Sequence, residues 1–444
     1  MYMAKNKYYI LTFGCQMNVY DSEALAGYME KLGYTEAVSP EEAEVLILNT
    51  CAVRKKAEDK VFSRLGTIRE LKRNNPRMTV ILWGCMAASQ ETALLLKERF
   101  KFIDLIAGPN SLGRFPDLLE KAQSSRGTIT DPDLTGARES LPVKRTDGFK
   151  AWVPISHGCN NFCSYCIVPY ARGPEVSRRP GDVIRDVEEL IRGGYKEITL
   201  LGQNVNSYGK DLQEGTDFAG LLRFIDAMSE SLRIRFMTSH PRDLSAGVIR
   251  AIDEGKNICE HIHLPLQSGS DHILKEMNRG YSRDYYLGLI KMIRAALPGA
   301  AVTTDIIVGF PGEDDSDFNK TMEIMEKVRF DAAYTFVYSP RQGTAAAKME
   351  NQVSAVIKQN RIIQLNKLQN RIVQEKNELL KGALQEVLVE GRSKTDENMF
   401  TGRTRTNKIV HFPSETDLTG KLATVEILEA RAWSLRGQLT MHNA

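Results

Sequence analysis

Three cysteines stand close together in the run Cys159-Asn160-Asn161-Phe162-Cys163-Ser164-Tyr165-Cys166, with no fourth cysteine nearby. Thiolates at this spacing suit a cubane iron-sulfur cluster, in which three cysteines hold three irons and the fourth iron is left for a small chelating molecule. The alternative is a zinc knot with His157 as the fourth ligand, a site that more often takes paired ligands from two hairpin arms. Cys15, Cys51 and Cys85 lie far apart, but each follows a short apolar run: Lys7–Phe13, Glu44–Thr50 and Thr79–Trp83. A shared position relative to a strand favours a second three-thiolate set over three small buried apolar residues, the other reading. Cys259 has no cysteine neighbour and reads as a structural thiol. His261 and His263 would share one strand face and His240 would end another strand; the cysteine sets account for the metal chemistry without them.

The elements that position these residues follow from periodicity. In the first part of the chain each apolar run precedes a helical pattern, Asp21–Leu32, Ala57–Arg73 and Gln90–Phe100, with Asp21 and Ser89 as N-caps of the first and third. Alternating strands and helices predict an open parallel sheet, which binds ligands at the carboxyl ends of its strands, so the three cysteines should converge on one edge. Phe102–Ala107 adds a strand and Leu112–Ala122 a closing helix. Gln123–Thr128 and Asp131–Gly136 have the composition of a linker.

From Lys150 the alternation resumes. Strands are predicted at Ala151–Ser156, Glu197–Leu201, Ile234–Thr238, His261–Leu266, Ala301–Val308 and Ala333–Val337, separated by helices that include Asp182–Arg192, Phe218–Met228, Tyr285–Ala296 and Asp317–Val328. Right-handed crossovers between such strands build a full or partial (β/α) barrel with its active face at the strands' carboxyl ends. Polar and glycine-bearing turns occur there, at Gly202–Asn204, Ser239–Pro241, Pro265–Ser270 and Gly309–Glu313. Ala355–Leu380 reads as a long helix with one apolar stripe. Beyond Gly382 come short strands at Gln385–Glu390, Met399–Phe412, Leu422–Leu428 and Ala430–Leu439, which suggest a small all-β barrel. Arg392, Lys394, Arg403, Arg405, Lys408 and Arg431, with Phe400 and Trp433 interleaved, give that barrel the chemistry to meet RNA phosphates and bases.

The chain of 444 residues is 42% hydrophobic and 26% charged, and its net charge is +3. So near-neutral a balance excludes whole-molecule basicity as a means of holding nucleic acid, leaving local patches. Seven cysteines, an odd number, argue for metal or redox chemistry over a disulfide framework. No apolar run is long enough for a membrane span, and the apolar start at Tyr8–Leu11 is too short for a signal peptide, so a cytoplasmic protein is expected.

The cysteine loop, with Tyr165 before its last cysteine, resembles that of the radical S-adenosylmethionine (SAM) superfamily. The whole domain order resembles the methylthiotransferases: residues 5–124 as the N-terminal cluster-binding domain, 145–377 as the radical SAM partial barrel and 378–444 as a TRAM domain. Thr12–Asn18, Asn49–Arg54, Gly84–Met86 and Trp433–Gly437 are similar to the tRNA-modifying branch; the branch acting on a ribosomal protein has a proline and a lysine where Gln16 and Met17 stand. The resemblance implies two 4Fe-4S clusters, one on Cys159, Cys163 and Cys166 and an auxiliary one on Cys15, Cys51 and Cys85. It also implies two SAM molecules, one giving a methyl group and one a radical. The expected product is a methylthio group on C2 of N6-isopentenyladenosine at position 37 of tRNA. Tyr165, Gln203, Gln267, Ser268 and Arg279 are nominated as SAM contacts, and Arg403, Arg405, Lys408 and Trp433 as RNA contacts. The expected partners are a tRNA anticodon stem-loop and an electron donor such as a flavodoxin, with a monomer favoured.

Overall fold

The computed structural model describes residues 6–52, 55–133, 139–213, 215–394 and 396–440. Its first part is β1 (Lys7–Thr12), α1 (Gln16–Lys31), β2 (Thr35–Glu36), β3 (Val45–Thr50), α2 (Lys55–Asn74), β4 (Thr79–Gly84), α3 (Gln90–Arg99), β5 (Leu105–Ala107), α4 (Phe115–Ser124) and β6 (Ile129–Asp131). These strands form one parallel sheet in the order β2-β1-β3-β4-β5-β6. Alternation decides its two cores. Val45, Ile47, Ile81 and Trp83 pack with α1 and α4 on one face, while Leu46, Leu48, Val80 and Leu82 pack with α2 and α3 on the other. In this register Thr12 lies beside Asn49 and Thr50 beside Gly84, so the segments bearing Cys15, Cys51 and Cys85 leave the sheet at one edge.

Two expectations are corrected here. Ser89 caps α3, accepting a hydrogen bond from the Thr92 amide, but Asp21 caps nothing: α1 begins at Gln16 behind Cys15. Asp21 is fully buried inside α1 because its carboxylate is paired with Arg172 of the next domain. The expected linker also holds a strand, since β6 pairs in parallel with β5 and takes the sheet past residue 124.

The middle of the chain contains β7 (Lys150–Pro154), β8 (Ser156–His157), α5 (Val168–Arg172), β9 (Val176–Ser177), α6 (Pro180–Arg192), β10 (Glu197–Leu201), α7 (Phe218–Asp226) and β11 (Arg233–Phe236). It continues with α8 (Ala246–Glu254), β12 (His261–His263), α9 (Asp271–Glu276), α10 (Arg283–Ala296), β13 (Ala301–Val308), α11 (Asp315–Val328), β14 (Ala332–Val337) and α12 (Ala355–Glu378). Two parallel sheets, β11-β10-β7 and β12-β13-β14, are linked by a bridge between Ile234 and Ile258 into a partial barrel around one apolar core. The long helix α12 packs on β14 and α11 and reaches the last domain.

That domain is a closed barrel of β15 (Leu384–Arg392), β16 (Met399–Thr404), β17 (Ile409–Pro413), β18 (Leu422–Ala430) and β19 (Leu435–Leu439). The stretch Met399–Phe412, expected as one strand, is a hairpin that turns at Asn407, a residue type that tolerates the left-handed backbone seen there (φ 67°). No helix among the described residues is long and apolar enough to cross a membrane.

Candidate radical and sulfur-donor sites

The loop between β8 and α5 presents Cys159 and Cys163, both buried, and the half-buried Cys166. Each sulfur accepts a hydrogen bond: from Asn161 Nδ2 to Cys159 (3.5 Å), from Arg279 Nη1 to Cys163 (3.3 Å) and from the Val168 amide to Cys166 (3.5 Å). Donors directed at sulfur are the outer partners that tune thiolate clusters. Burial pushes the Cys166 thiol up to about 12, with the neighbouring Cys163 adding to the effect, so cluster assembly must displace protons. Among the described residues no three His, Cys, Asp or Glu side chains gather closely enough to chelate one ion.

Above this loop the carboxyl ends of the barrel strands carry buried polar atoms without protein partners. They are Ser156 Oγ, Gln203 Oε1, Asn204 Oδ1, Ser239 Oγ, His240 Nε2 and Gln267 Oε1. Unpaired buried acceptors cost about 1–3 kcal/mol each, so a set on the active rim fits a polar, multiply hydrogen-bonding ligand such as SAM. Burial, with Arg279, Arg242 and Lys210 nearby, drives His240 down to about 2, so the ring is neutral. The polar turn Ser239–Pro241 is the sequence signal for Ser239 and His240, whereas Ser156 shows there only as the last residue of a strand.

The nominated SAM residues divide. Gln203 and Gln267 have amide oxygens free of protein partners. Ser268 is turned toward α11, with Oγ 3.4 Å from Thr321 Oγ1 and accepting from the Ser270 amide. Tyr165 packs with Phe310 and Tyr338. Arg279 is committed to the protein: besides Cys163 it donates to Tyr165 Oη (3.4 Å), Tyr281 Oη (3.0 Å) and the Pro265 carbonyl (2.9 Å). It clamps the cysteine loop to the barrel. A second clamp, absent from the sequence reading, is Glu313, which accepts from the Gly309 amide (2.5 Å) and Arg361 (2.8 Å) and so ties the Gly309–Glu313 turn to α12.

At the sheet edge, Gly14 (φ 133°) and Gly84 (φ 99°) let the chain turn into the cysteines. A Cβ at Gly14 would lie 2.7 Å from Cys51 Cβ, and one at Gly84 2.5 Å from the Thr50 carbonyl. The Cys85 thiol is close enough to Cys15 and Arg172 for both to affect its ionisation, although burial, the largest influence, raises it. Asn18 Oδ1 lies 3.3 Å from Cys15 Sγ, and Asn18 and Asn49 hold α1 to β3 through buried amide hydrogen bonds. Ala171 of α5 packs on Cys85 and Ala88. The two cysteine sets therefore face one seam, with α5 between them.

The C-terminal barrel presents Trp433 to solvent at 63% exposure. The three nominated cations lie elsewhere. Arg405 bonds Glu260 (2.6 Å) and the Ile258 carbonyl (2.7 Å). Lys408 bonds Asn377 (2.8 Å) with Asp331 nearby, and Arg403 bonds Glu390 (3.2 Å). From the other side, buried Arg233 and Arg235 donate to the Arg403, Thr404 and Arg405 carbonyls. Arg405 and Lys408 thus belong to the seam between barrels, not to open surface.

Comparison with known proteins gives the family of each part of the chain. Residues 153–325 match the model of the radical SAM superfamily, residues 7–108 that described as "Uncharacterized protein family UPF0004", and residues 378–440 the TRAM domain. The solved structure of the radical SAM methyltransferase TsrM from Kitasatospora setae shares the fold, with a TM-score of 0.55 at 14% identity over 86% of this chain and 81% of that one. Fold and site define a radical SAM protein with a second cysteine-bearing domain and a TRAM domain. Over 98% of its length the chain is 52% identical to the tRNA-2-methylthio-N(6)-dimethylallyladenosine synthase of Thermoanaerobacter pseudethanolicus, of which 93% is covered. It is 48% identical to that of Carboxydothermus hydrogenoformans, covering 98% of this chain and 100% of the relative. The chain belongs to this synthase family.

Proposed function

We infer that the chain is a transferase that places a methylthio group on C2 of N6-isopentenyladenosine at position 37 of tRNA. The observation that carries this reading is the shared seam: α5 leaves the Cys159–Cys166 loop and packs directly on Cys85, so both cysteine sets can serve one base. When bound, two 4Fe-4S clusters and SAM supply the radical that activates an unreactive C–H bond, the sulfur and the methyl group.

The chain's own residues would act by holding and shielding. Cys159, Cys163 and Cys166 would hold one cluster, with Asn161, the Val168 amide and Arg279 donating to their sulfurs; Cys15, Cys51 and Cys85 would hold the other. Gln203, Gln267, Ser239 and neutral His240 offer SAM hydrogen bonds without adding charge. An anticodon-loop base is splayed out more readily than a duplex base, and exposed Trp433 is suited to stack on RNA. Arg405 and Lys408 contribute by orienting the TRAM barrel and Arg403 pairs with Glu390 within it, so phosphate contact falls to exposed Arg392, Lys394 and Arg431. Residues 5–124, 145–377 and 378–444 are the working units. The electron comes from an external donor such as a flavodoxin, and the enzyme is taken as a cytoplasmic monomer. Mass spectrometry of tRNA nucleosides tests the reading: cells lacking the chain should accumulate the isopentenyl nucleoside and regain the methylthio form on complementation. An unchanged nucleoside profile overturns it.

A further inference from the structure

Arg172 ends α5, directly after the Cys159–Cys166 loop, yet its guanidinium is buried in the other cysteine set. Nη2 donates to Asp21 Oδ2 at 3.1 Å; Asp21 is fully buried and Arg172 is 3% exposed. The Arg172 carbonyl accepts from Asn110 Nδ2 at 3.1 Å, which fixes the backbone below the side chain. Cys85 and Cys15 lie close enough for their charges to act on the guanidinium. Nη1 nevertheless has no acceptor in hydrogen-bonding geometry. Asp21 balances the charge and the Cys85 sulfur is within hydrogen-bonding reach of the guanidinium, which leaves Nη1 as a dry donor with no acceptor in good geometry beside Cys85 and Cys15. Such a donor is costly to bury unless something occupies it. The chemistry that satisfies it beside thiolate-bound iron is a soft anion able to accept a charge-assisted hydrogen bond.

We propose that Arg172 is a positioning residue for the transferred sulfur: through Nη1 it holds a small anionic sulfur ligand, sulfide or an alkyl thiolate, against the Cys15–Cys51–Cys85 set, while Asp21 fixes its orientation. This rests on the auxiliary-cluster reading above.

The test uses the full chain carrying Cys159→Ala, Cys163→Ala and Cys166→Ala, so that only the auxiliary cluster is observed. Iron is counted first. Sodium methanethiolate and sodium sulfide are then titrated anaerobically, followed by electron paramagnetic resonance of the reduced cluster and by its midpoint potential. Arg172→Met should keep the iron but bind methanethiolate roughly tenfold to a hundredfold more weakly and shift the potential downward, because a donor to the cluster's sulfur is lost. Arg172→Lys should recover part of that affinity. Should Arg172→Met fail to fold with Asp21 unpaired, Asp21→Asn/Arg172→Met, which removes both charges, decides in its place. Unchanged affinity and potential in a fully loaded variant would overturn the role of Arg172 alone. A background protein that binds no cluster at all would overturn the auxiliary-cluster reading with it.

Discussion

Replacing Arg405 and Lys408 together by alanine separates orientation of the TRAM barrel from contact with phosphate. If both cations met phosphates, losing them would flatten the salt dependence of tRNA binding by about 0.9 unit each in duplex and about 0.7 in single strands. The structure predicts otherwise, because both face protein acceptors. Arg405 holds Glu260 and the Ile258 carbonyl, with both side chains about a third exposed or less, and Lys408 holds Asn377. Partial exposure discounts the ion pair, leaving roughly 1–3 kcal/mol of lost docking between barrels. Binding of an anticodon stem-loop is measured by anaerobic fluorescence anisotropy over a series of potassium chloride concentrations, alongside hydrogen exchange of β16 and β17. The double variant should weaken binding with a slope change below about half a unit and faster exchange. Lys394→Ala/Arg431→Ala, at two exposed cations, should instead lower the slope by up to about 1.8 units with normal exchange. A slope drop above one unit in Arg405→Ala/Lys408→Ala, with β16 exchange unaltered, would refute the reasoning and return these cations to the RNA surface.

Trp433→Ala should weaken tRNA binding by roughly 1–3 kcal/mol without changing the salt slope, since stacking releases no counterions; the same anisotropy series checks it. Cys51→Ala should stop methylthio transfer while sparing most 5'-deoxyadenosine formation, both quantified by chromatography. His261, buried against Thr303, is held down to about 3 by burial and nearby Arg235. Its folded value lies below the unfolded 6.5, so the stability it confers is present above pH 6.5 and lost on acidification. Between pH 7 and 5 that loss is about 2 kcal/mol, and His261→Gln should be destabilised less at pH 5 than at pH 7 by about that amount in anaerobic denaturant unfolding. An equal difference at both pH values would contradict it.

What the sequence revealed depended on how local the cause was. Cys15, Cys51 and Cys85 could be assigned to one edge because each follows a strand whose length and apolar run are visible, and parallel pairing then aligns the strand ends. Glu197–Leu201 and Ala301–Val308 were legible to the residue for the same reason. Asp21 was misread as a cap since its partner, Arg172, is in another domain and only folding brings them together. The cations Arg405 and Lys408 look free in sequence because Glu260 and Asp331 are distant along the chain. Strand β6 escaped notice because Ile129–Asp131 is short and joins the sheet through backbone pairing, which leaves little trace in side-chain pattern. The clamping role of Arg279 was likewise invisible: sequence shows a cation near the rim, not that its nitrogens are spent on Cys163, Tyr165, Tyr281 and Pro265.

The most direct test of two separate cysteine sites on one chain is iron content coupled to SAM cleavage in two triple variants. Anaerobically reconstituted wild type should hold about eight irons, and the Cys15/Cys51/Cys85→Ala and Cys159/Cys163/Cys166→Ala variants about four each. Only the former should, with dithionite, convert SAM to 5'-deoxyadenosine. Four irons in the wild type, or deoxyadenosine from the variant lacking Cys159, Cys163 and Cys166, would contradict the account.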